Sequence, residues 1–224
     1  MQSKIIAIDG PAGAGKSTIA KKVAGLLGFT YIDSGAMYRA ITLKLIRQGI
    51  DIKDLDKVLE VAQQTEIDFH DNHIYLDGDM VDREIREEIV NTNVSPVSAI
   101  PELRRILVSK QRNIAGNKNV VMDGRDVGTV IFPHAYCKIF LTATSEERAL
   151  RRYTEMLEKG KQADFNEIKR QIEERDRIDT TRKDSPLKAA EDAVYIDTTA
   201  RNIDEVVAEV IKCIERTGES NDAV

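Results

Sequence analysis

Ile8 to Thr18 reads IDGPAGAGKST, three glycines, a proline and a lysine in one short run. It follows KIIAID (residues 4–9), a β-branched apolar run of the kind that forms a buried parallel strand. It precedes Ile19, Ala20, Val23, Ala24 and Leu27, which recur at helical spacing until Gly28, a residue suited to stop a helix. Strand, glycine loop and helix in direct succession open a parallel α/β sheet, whose ligand crevice lies at the carboxyl ends of its strands. Gly10, Gly15, Lys16 and Ser17 fit the spacing G-x-x-x-x-G-K-[ST]. Glycines let backbone N–H groups turn inward around a phosphate, and the following helix turns its positive end to the same anion. A lysine placed like Lys16 reaches β- and γ-phosphates, and a hydroxyl placed like Ser17 can ligate Mg²⁺. A nucleoside triphosphate is therefore expected at residues 10–18. With no nucleotide bound, Lys16 is expected to stand in a solvent-filled cleft.

The loop alone does not name the reaction, because GTPases, motor ATPases and nucleotide-gated regulators share it. The guanine signature N-K-x-D has no match, since NKNV (117–120) lacks the aspartate. A motor would need more domains than 224 residues offer. The net charge of −5 supplies no global basic field for a nucleic acid or an anionic membrane, so phosphate binding must be local. No apolar run approaches the length of a membrane span, and Asp9 interrupts the apolar segment near the N-terminus that a signal peptide would need. A cytoplasmic protein is expected. Cys137 and Cys213 each sit in an apolar run and are expected to be buried free thiols. His70, His73 and His134 lack partners at metal-ligand spacing; for His70 and His73 a surface or strand position is expected.

Further strands are expected at NVVMDG (119–124), CKIFLTA (137–143) and AVYID (193–197), with a final amphipathic helix through Ile203, Val206, Val207, Val210, Ile211 and Ile214. The rhythm breaks at residues 66–81, where polar and apolar residues alternate around turn signals at Asp71-Asn72 and Asp77-Gly78. That pattern predicts an inserted antiparallel hairpin or three-stranded meander. The polar tail from Gly218 is expected to fray.

Three stretches carry the rest of a site. DSGAMYRA (33–40) opens a helix, with Ser34 and Gly35 suited to cap it and Arg39 about one turn in. MDGRDVGT (122–129) leaves an apolar strand and brings Asp123, Arg125 and Asp126 to the same rim as the loop. Asp123 there stands where a carboxylate holds Mg²⁺ directly or through water. Ile168, Ile172, Arg175, Asp179 and Arg182 step by three and four along one helical stripe that begins apolar and turns charged. Such a helix is anchored in the core and reaches over a polar site; an internal ladder of ion pairs is the alternative. Arg148, Arg151 and Arg152, then Lys159 and Lys161 around Gly160, suit a mobile lid over a triphosphate.

In this order GPAGAGKST, DSGAMYR, SPVSAIPELR, DGRDVGT and ERDRIDTTR resemble the bacterial-type cytidylate kinases, members of the nucleoside monophosphate kinase family, over nearly the whole chain. The resemblance implies a P-loop kinase fold: a parallel sheet core flanked by helices, an inserted β-meander in the monophosphate-binding region, and a small lid. It implies a core of residues 1–34, 99–147 and 180–216, a monophosphate-binding region at 35–98, a lid at 148–179 and a frayed tail at 217–224. The implied reaction moves the γ-phosphoryl of ATP to CMP or dCMP with Mg²⁺. Carried over by position, Gly10, Pro11, Ala12, Gly13, Ala14, Gly15, Lys16, Ser17 and Thr18 go to ATP. Ser34, Arg39, Ser95, Arg104, Arg125, Asp126, Arg175, Asp179 and Arg182 go to the monophosphate. Within that set Ser95, Arg104 and Asp126 meet cytosine, Arg175 and Asp179 the sugar, and Arg39 and Arg125 the α-phosphate; Arg182 serves phosphate or base. Arg105 beside Arg104 leaves that register open by one. The catalytic cations are Lys16 and Arg125, with Arg151 or Arg152 from the lid; Ser17 and Asp123 hold the metal. A monomer with small-molecule partners only, and neither a nucleic acid polymer nor a membrane, is expected. The alternatives are a P-loop kinase of another small acceptor and a nucleotide-gated regulatory module without turnover.

Overall fold

The structure, a computed structural model, describes residues 3–222. Strand β1 (Ile5–Asp9) leads through the glycine loop into helix α1 (Lys16–Leu27), which Gly28 ends in the left-handed conformation with φ 67°. Strand β2 (Thr30–Asp33) runs directly into helix α2 (Ser34–Arg47). Helix α3 (Leu55–Gln64) precedes the meander of β3 (Ile67–His70), β4 (His73–Leu76) and β5 (Asp79–Met80). Helices α4 (Glu88–Ser98) and α5 (Pro101–Ala115) lead to β6 (Val120–Gly124), a wide helical turn over Val127–Ile131, and β7 (Cys137–Thr142). Helices α6 (Ser145–Glu158) and α7 (Phe165–Thr181), strand β8 (Val194–Asp197) and helix α8 (Ile203–Asp222) complete the chain.

The main sheet is parallel throughout, in the order β2-β6-β1-β7-β8. Its central strand β1 is buried along its whole length, and its side chains divide by the period of two: Ile5 and Ala7 face one apolar core, Ile6 and Ile8 the other. Helices α1 and α8 cover the second face, while α2 to α5 and the meander cover the first. Expected strands 119–124, 137–143 and 193–197 are all present. Strand β2 is an addition: TYID is only a short apolar segment, and pairing with Val120–Asp123 makes it an edge strand.

The meander forms a separate three-stranded antiparallel sheet, β3-β4-β5. Asp71, Asn72, Asp77 and Gly78 all take positive φ, as tight two-residue turns matched to strand twist require. His70 and His73 flank the exposed Asp71-Asn72 turn, paired with Asp68 and Asp82. The meander packs on the main sheet: Ile67, Phe69, Ile74 and Leu76 share one apolar core with Ile5, Ala7 and Met122. Helices α6 and α7 have a small core of their own, built on Ala149, Ile168 and Ile172. Both cysteines are buried free thiols.

The tail expected to fray from residue 217 is instead helical as far as Asp222. Thr217 bonds back to the Cys213 carbonyl within the helix, and Gly218 lies so near the Tyr136 hydroxyl that a Cβ there would meet it at 2.8 Å. Ala223 and Val224 lie outside the described residues. Among the described residues no helix is long and apolar enough to cross a membrane.

Candidate active site

The glycine loop is held from outside by its carbonyls. Arg148 Nη1 donates to Ala12 O at 3.0 Å, and the Thr198 hydroxyl donates to Ala14 O at 3.2 Å. Gly13 and Gly15 take φ of 77° and 88°, the left-handed turns that let successive N–H groups converge on an anion. Gly10 is required for a second reason: a Cβ there would lie 2.0 Å from Leu141 O. Lys16 does not stand in solvent as expected. It is 6% exposed and folds back to donate to Pro11 O at 2.7 Å. Burial, reinforced by the Arg125 charge, pushes its ammonium down to about 7. Loop backbone and α1 leave this cation little water, so it sits poised for an anion.

One residue on, the Ser17 hydroxyl donates to Asp123 Oδ2 at 2.9 Å, and Tyr31 donates to Oδ1 at 2.7 Å. Burial, with Asp33 nearby, raises the Asp123 carboxyl to about 6. The strand end therefore delivers Asp123 to the loop, as its place in MDGRDVGT suggested. Ser34 is a correction. Asp33 caps α2 by accepting from Ala36 N at 2.9 Å, while the Ser34 hydroxyl donates to Asp123 O at 2.7 Å. It thus ties α2 to the end of β6, closely enough that a Cβ on Gly124 would lie 2.4 Å from Ser34 Oγ.

On the other side of the loop the arginines gather. Arg39 Nη1 donates to Asn91 Oδ1 at 2.5 Å. Burial, with Arg86 and Arg125 adding to it against Asp33, lowers its guanidinium to about 10. Arg175 is pushed down to about 10 by burial and by the charges of Arg125 and Arg39, and its Nε is buried with no hydrogen-bond partner. Arg125 Nε donates to Asp179 Oδ2 at 2.9 Å, and Arg182 Nη1 lies 3.7 Å from Asp179 Oδ1. Burial alone would raise the Asp179 carboxyl, but Arg125, Arg175 and Arg182 outweigh it and hold it low. The stripe on α7 thus runs from buried Ile168 and Ile172 to a charged end, with the ion pairs of the alternative reading present beside an orphaned guanidinium.

Arg104 and Arg105 stand in different surroundings. Arg104 is 2% exposed, stacks over the Tyr38 ring at 5.2 Å, and pairs with buried Asp126 at 2.5 Å. Arg105 points away, its side chain 70% exposed beside Glu102. Arg104 Nη1 also donates to Ser98 O at 3.0 Å, and Ser98 bonds to the carbonyl of half-buried Ser95. Helical periodicity could not separate neighbours 104 and 105; only the packing of α5 against α2, α3, α4 and the turn over Val127–Ile131 does.

The three arginines of α6 differ in what holds them. Arg151 is held by Glu147 and by the Thr198 hydroxyl and carbonyl at 3.1 and 2.6 Å, beside Gly15. Arg152 is paired with Glu155 on the surface, although its charge acts on Arg39. The buried one is Arg148, which joins Ala12 O, Ala143 O and Asp176. Sequence reasoning placed it in the lid without singling it out. It also missed Asp9, a buried carboxylate at the end of β1, although a charge ending an apolar strand at the crevice rim is a legible signal.

The family model for cytidylate kinase matches residues 6–216. The cytidylate kinase of Caldanaerobacter subterraneus subsp. tengcongensis is 55% identical over 211 residues, spanning 94% of each chain. That of Clostridioides difficile is 49% identical over 214 residues, covering 96% of this chain and 99% of its own. A solved gluconokinase from Sinorhizobium meliloti 1021 superposes with a TM-score of 0.53 at 14% identity, over 98% of this chain and 96% of that one, a likeness of fold alone. With its family model matched over residues 6–216 and relatives near half-identical along almost the whole length, the chain belongs to the cytidylate kinase family.

Proposed function

We propose that the protein phosphorylates CMP and dCMP by direct in-line transfer of the γ-phosphoryl of ATP. The observation that carries this reading is the cluster of half-buried Arg39, Arg125 and Arg175: Arg125 and Arg175 push the Lys16 ammonium down, Arg125 helps to lower Arg39 and Arg175, and the Nε of Arg175 is left unpaired. Cations are forced together at such a cost only where an anion completes them. Phosphoryl transfer asks little covalent work of a protein. It needs two anionic substrates in line and positive charge where charge develops.

In this reading residues 10–18 cradle the ATP phosphates, with Lys16 released from Pro11 O to the β- and γ-oxygens. Arg39 and Arg125 hold the α-phosphate of the acceptor, Arg175 and Asp179 its sugar, and Ser95, Arg104 and Asp126 its base; Ser34 and Arg182 complete that side. The hydroxyl of Ser17 and the carboxylate of Asp123, adjacent hard oxygen donors, would hold Mg²⁺. When bound, the ion neutralises charge on the phosphate oxygens. Residues 1–34, 99–147 and 180–216 serve as the core, 35–98 as the acceptor side and 148–179 as the lid. The protein acts in the cytoplasm, as a monomer, on small molecules only.

The test is ADP formation from ATP with CMP, dCMP, UMP, AMP or water as acceptor. CMP and dCMP are expected to support turnover far above the others. Turnover with none of them rejects CMP and dCMP as acceptors, and a different best acceptor rejects the base assignment.

The lid gives a second expected result. Residues 158–162 between α6 and α7 are exposed, with open space around Gly160, so protease should cut there first in the free protein. ATP and CMP together should protect this segment more than either alone, since closure excludes water only over both. Equal cleavage in all four conditions rules out a lid at this place.

A further inference from the structure

Asp9 ends β1 one residue before the loop, and it is 5% exposed. Its two oxygens are used separately: Oδ1 accepts from Val127 N at 2.8 Å and Oδ2 from Gly128 N at 2.7 Å. These are the first N–H groups of the wide turn over Val127–Ile131, which have no partner inside the turn itself. Immediately before them stand Arg125 and Asp126. One side chain at the root of the donor loop therefore fixes the backbone that presents two acceptor-side residues. The backbone around it leaves little freedom, because Gly10 abuts Leu141 O and Gly124 abuts Ser34 Oγ.

We propose that Asp9 is a positioning residue that couples the triphosphate loop to the acceptor side, by holding the Val127 and Gly128 amides so that Arg125 faces the acceptor phosphate and Asp126 its base. It is not a catalytic residue, for it touches only backbone. Burial raises its carboxyl to about 7 against the pull of the Gly128 and Val127 amides, so ionising it in the folded state carries a cost. Only a carboxylate can accept from both amides; an asparagine would turn its NH₂ toward one of them.

The inference rests on the acceptor assignment above, and its test separates the two. Asp9→Asn should raise KM for CMP roughly tenfold to a hundredfold and lower kcat, while the dissociation constant of a nonhydrolysable ATP analogue changes by less than about threefold. Unchanged CMP kinetics, or equal losses for ATP and CMP, would overturn the coupling role and leave a purely structural staple. Should the variant not fold, amide exchange in the wild-type protein decides. Val127 and Gly128 should exchange as slowly as the core of β6, and their amide signals should shift on CMP binding. Loop-like exchange, or signals insensitive to CMP, overturns the proposal. A wild type that ignores CMP while binding ATP counts instead against the acceptor assignment; the exchange rates alone still decide whether Asp9 holds both amides.

Discussion

Lys16→Met is expected to lose turnover by about 10³-fold or more and yet to melt higher than the wild type. The two effects share one cause. Lys16 is buried and faces Arg125 and Arg175, so its ammonium titrates near 7 in the folded protein rather than at the ordinary 10.5. Below pH 7 the lysine is charged in both states, and the folded state bears the whole cost of burying that charge. Between about 7 and 10.5 the unfolded chain binds more protons than the folded one, so stability rises with pH; above 10.5 the cost is gone. Methionine fills similar volume without the charge. It should raise the melting temperature by a few degrees at pH 6 and by much less at pH 9. Calorimetry at both pH values, beside a coupled assay, checks this. A variant that melts lower at pH 6, or one with near-normal kcat, would contradict the placement of this cation.

The second large effect concerns the base. Cytosine offers an N4 amino donor and an N3 acceptor where uracil offers an O4 acceptor and an N3–H donor. A carboxylate suits the first edge and a guanidinium or hydroxyl the second. With UMP, Asp126 would face an oxygen and Arg104 an N–H, and each buried mispairing costs roughly 1–3 kcal/mol. The wild type should therefore prefer CMP to UMP by roughly 10²- to 10⁴-fold in kcat/KM. Asp126→Ala is the blunt test, because it strands Arg104, buried at 2% exposure, without its counter-charge. Asp126→Asn is cleaner. Its amide oxygen can still accept from Arg104 while its NH₂ replaces the oxygen offered to N4. It should lower kcat/KM for CMP by about 10²-fold and narrow the CMP:UMP ratio to within about tenfold, with ATP binding unchanged. An unchanged ratio would show that Asp126 does not read the base.

Several parts of this architecture are legible in the order of the amino acids alone. Each rests on neighbours a few residues apart. KIIAID followed by GPAGAGKST specifies strand, nest and helix because glycine takes the positive φ of Gly13 and Gly15 at no steric cost. Alternation over 66–81 with Asp-Asn and Asp-Gly turns specifies the meander, since a period of two and a turn of fixed hand admit little else. The stripe from Ile168 to Arg182 likewise announces a helix that changes from core to site along its length.

Tertiary structure alone decided which of these residues meet. Ser34 suits a helix cap by local chemistry, but Asp33 takes that role and Ser34 bonds across 89 positions to the Asp123 carbonyl. Asp9 looks like the charge that ends a strand until β1 and β6 pair and set the Val127 and Gly128 amides against it. Arg104 and Arg105 are equivalent in pattern, and only the seating of α5 buries one and exposes the other. Arg148, Arg151 and Arg152 share one helix, and its angle to the loop selects Arg148 for Ala12. The physical reason is common to all four. Backbone dihedrals and hydrophobic period act over a few residues and are written into composition, whereas a buried polar group takes whatever partner the packed sheet and helices bring within 3 Å, and that is set by strand order and helix placement rather than by neighbours in the chain.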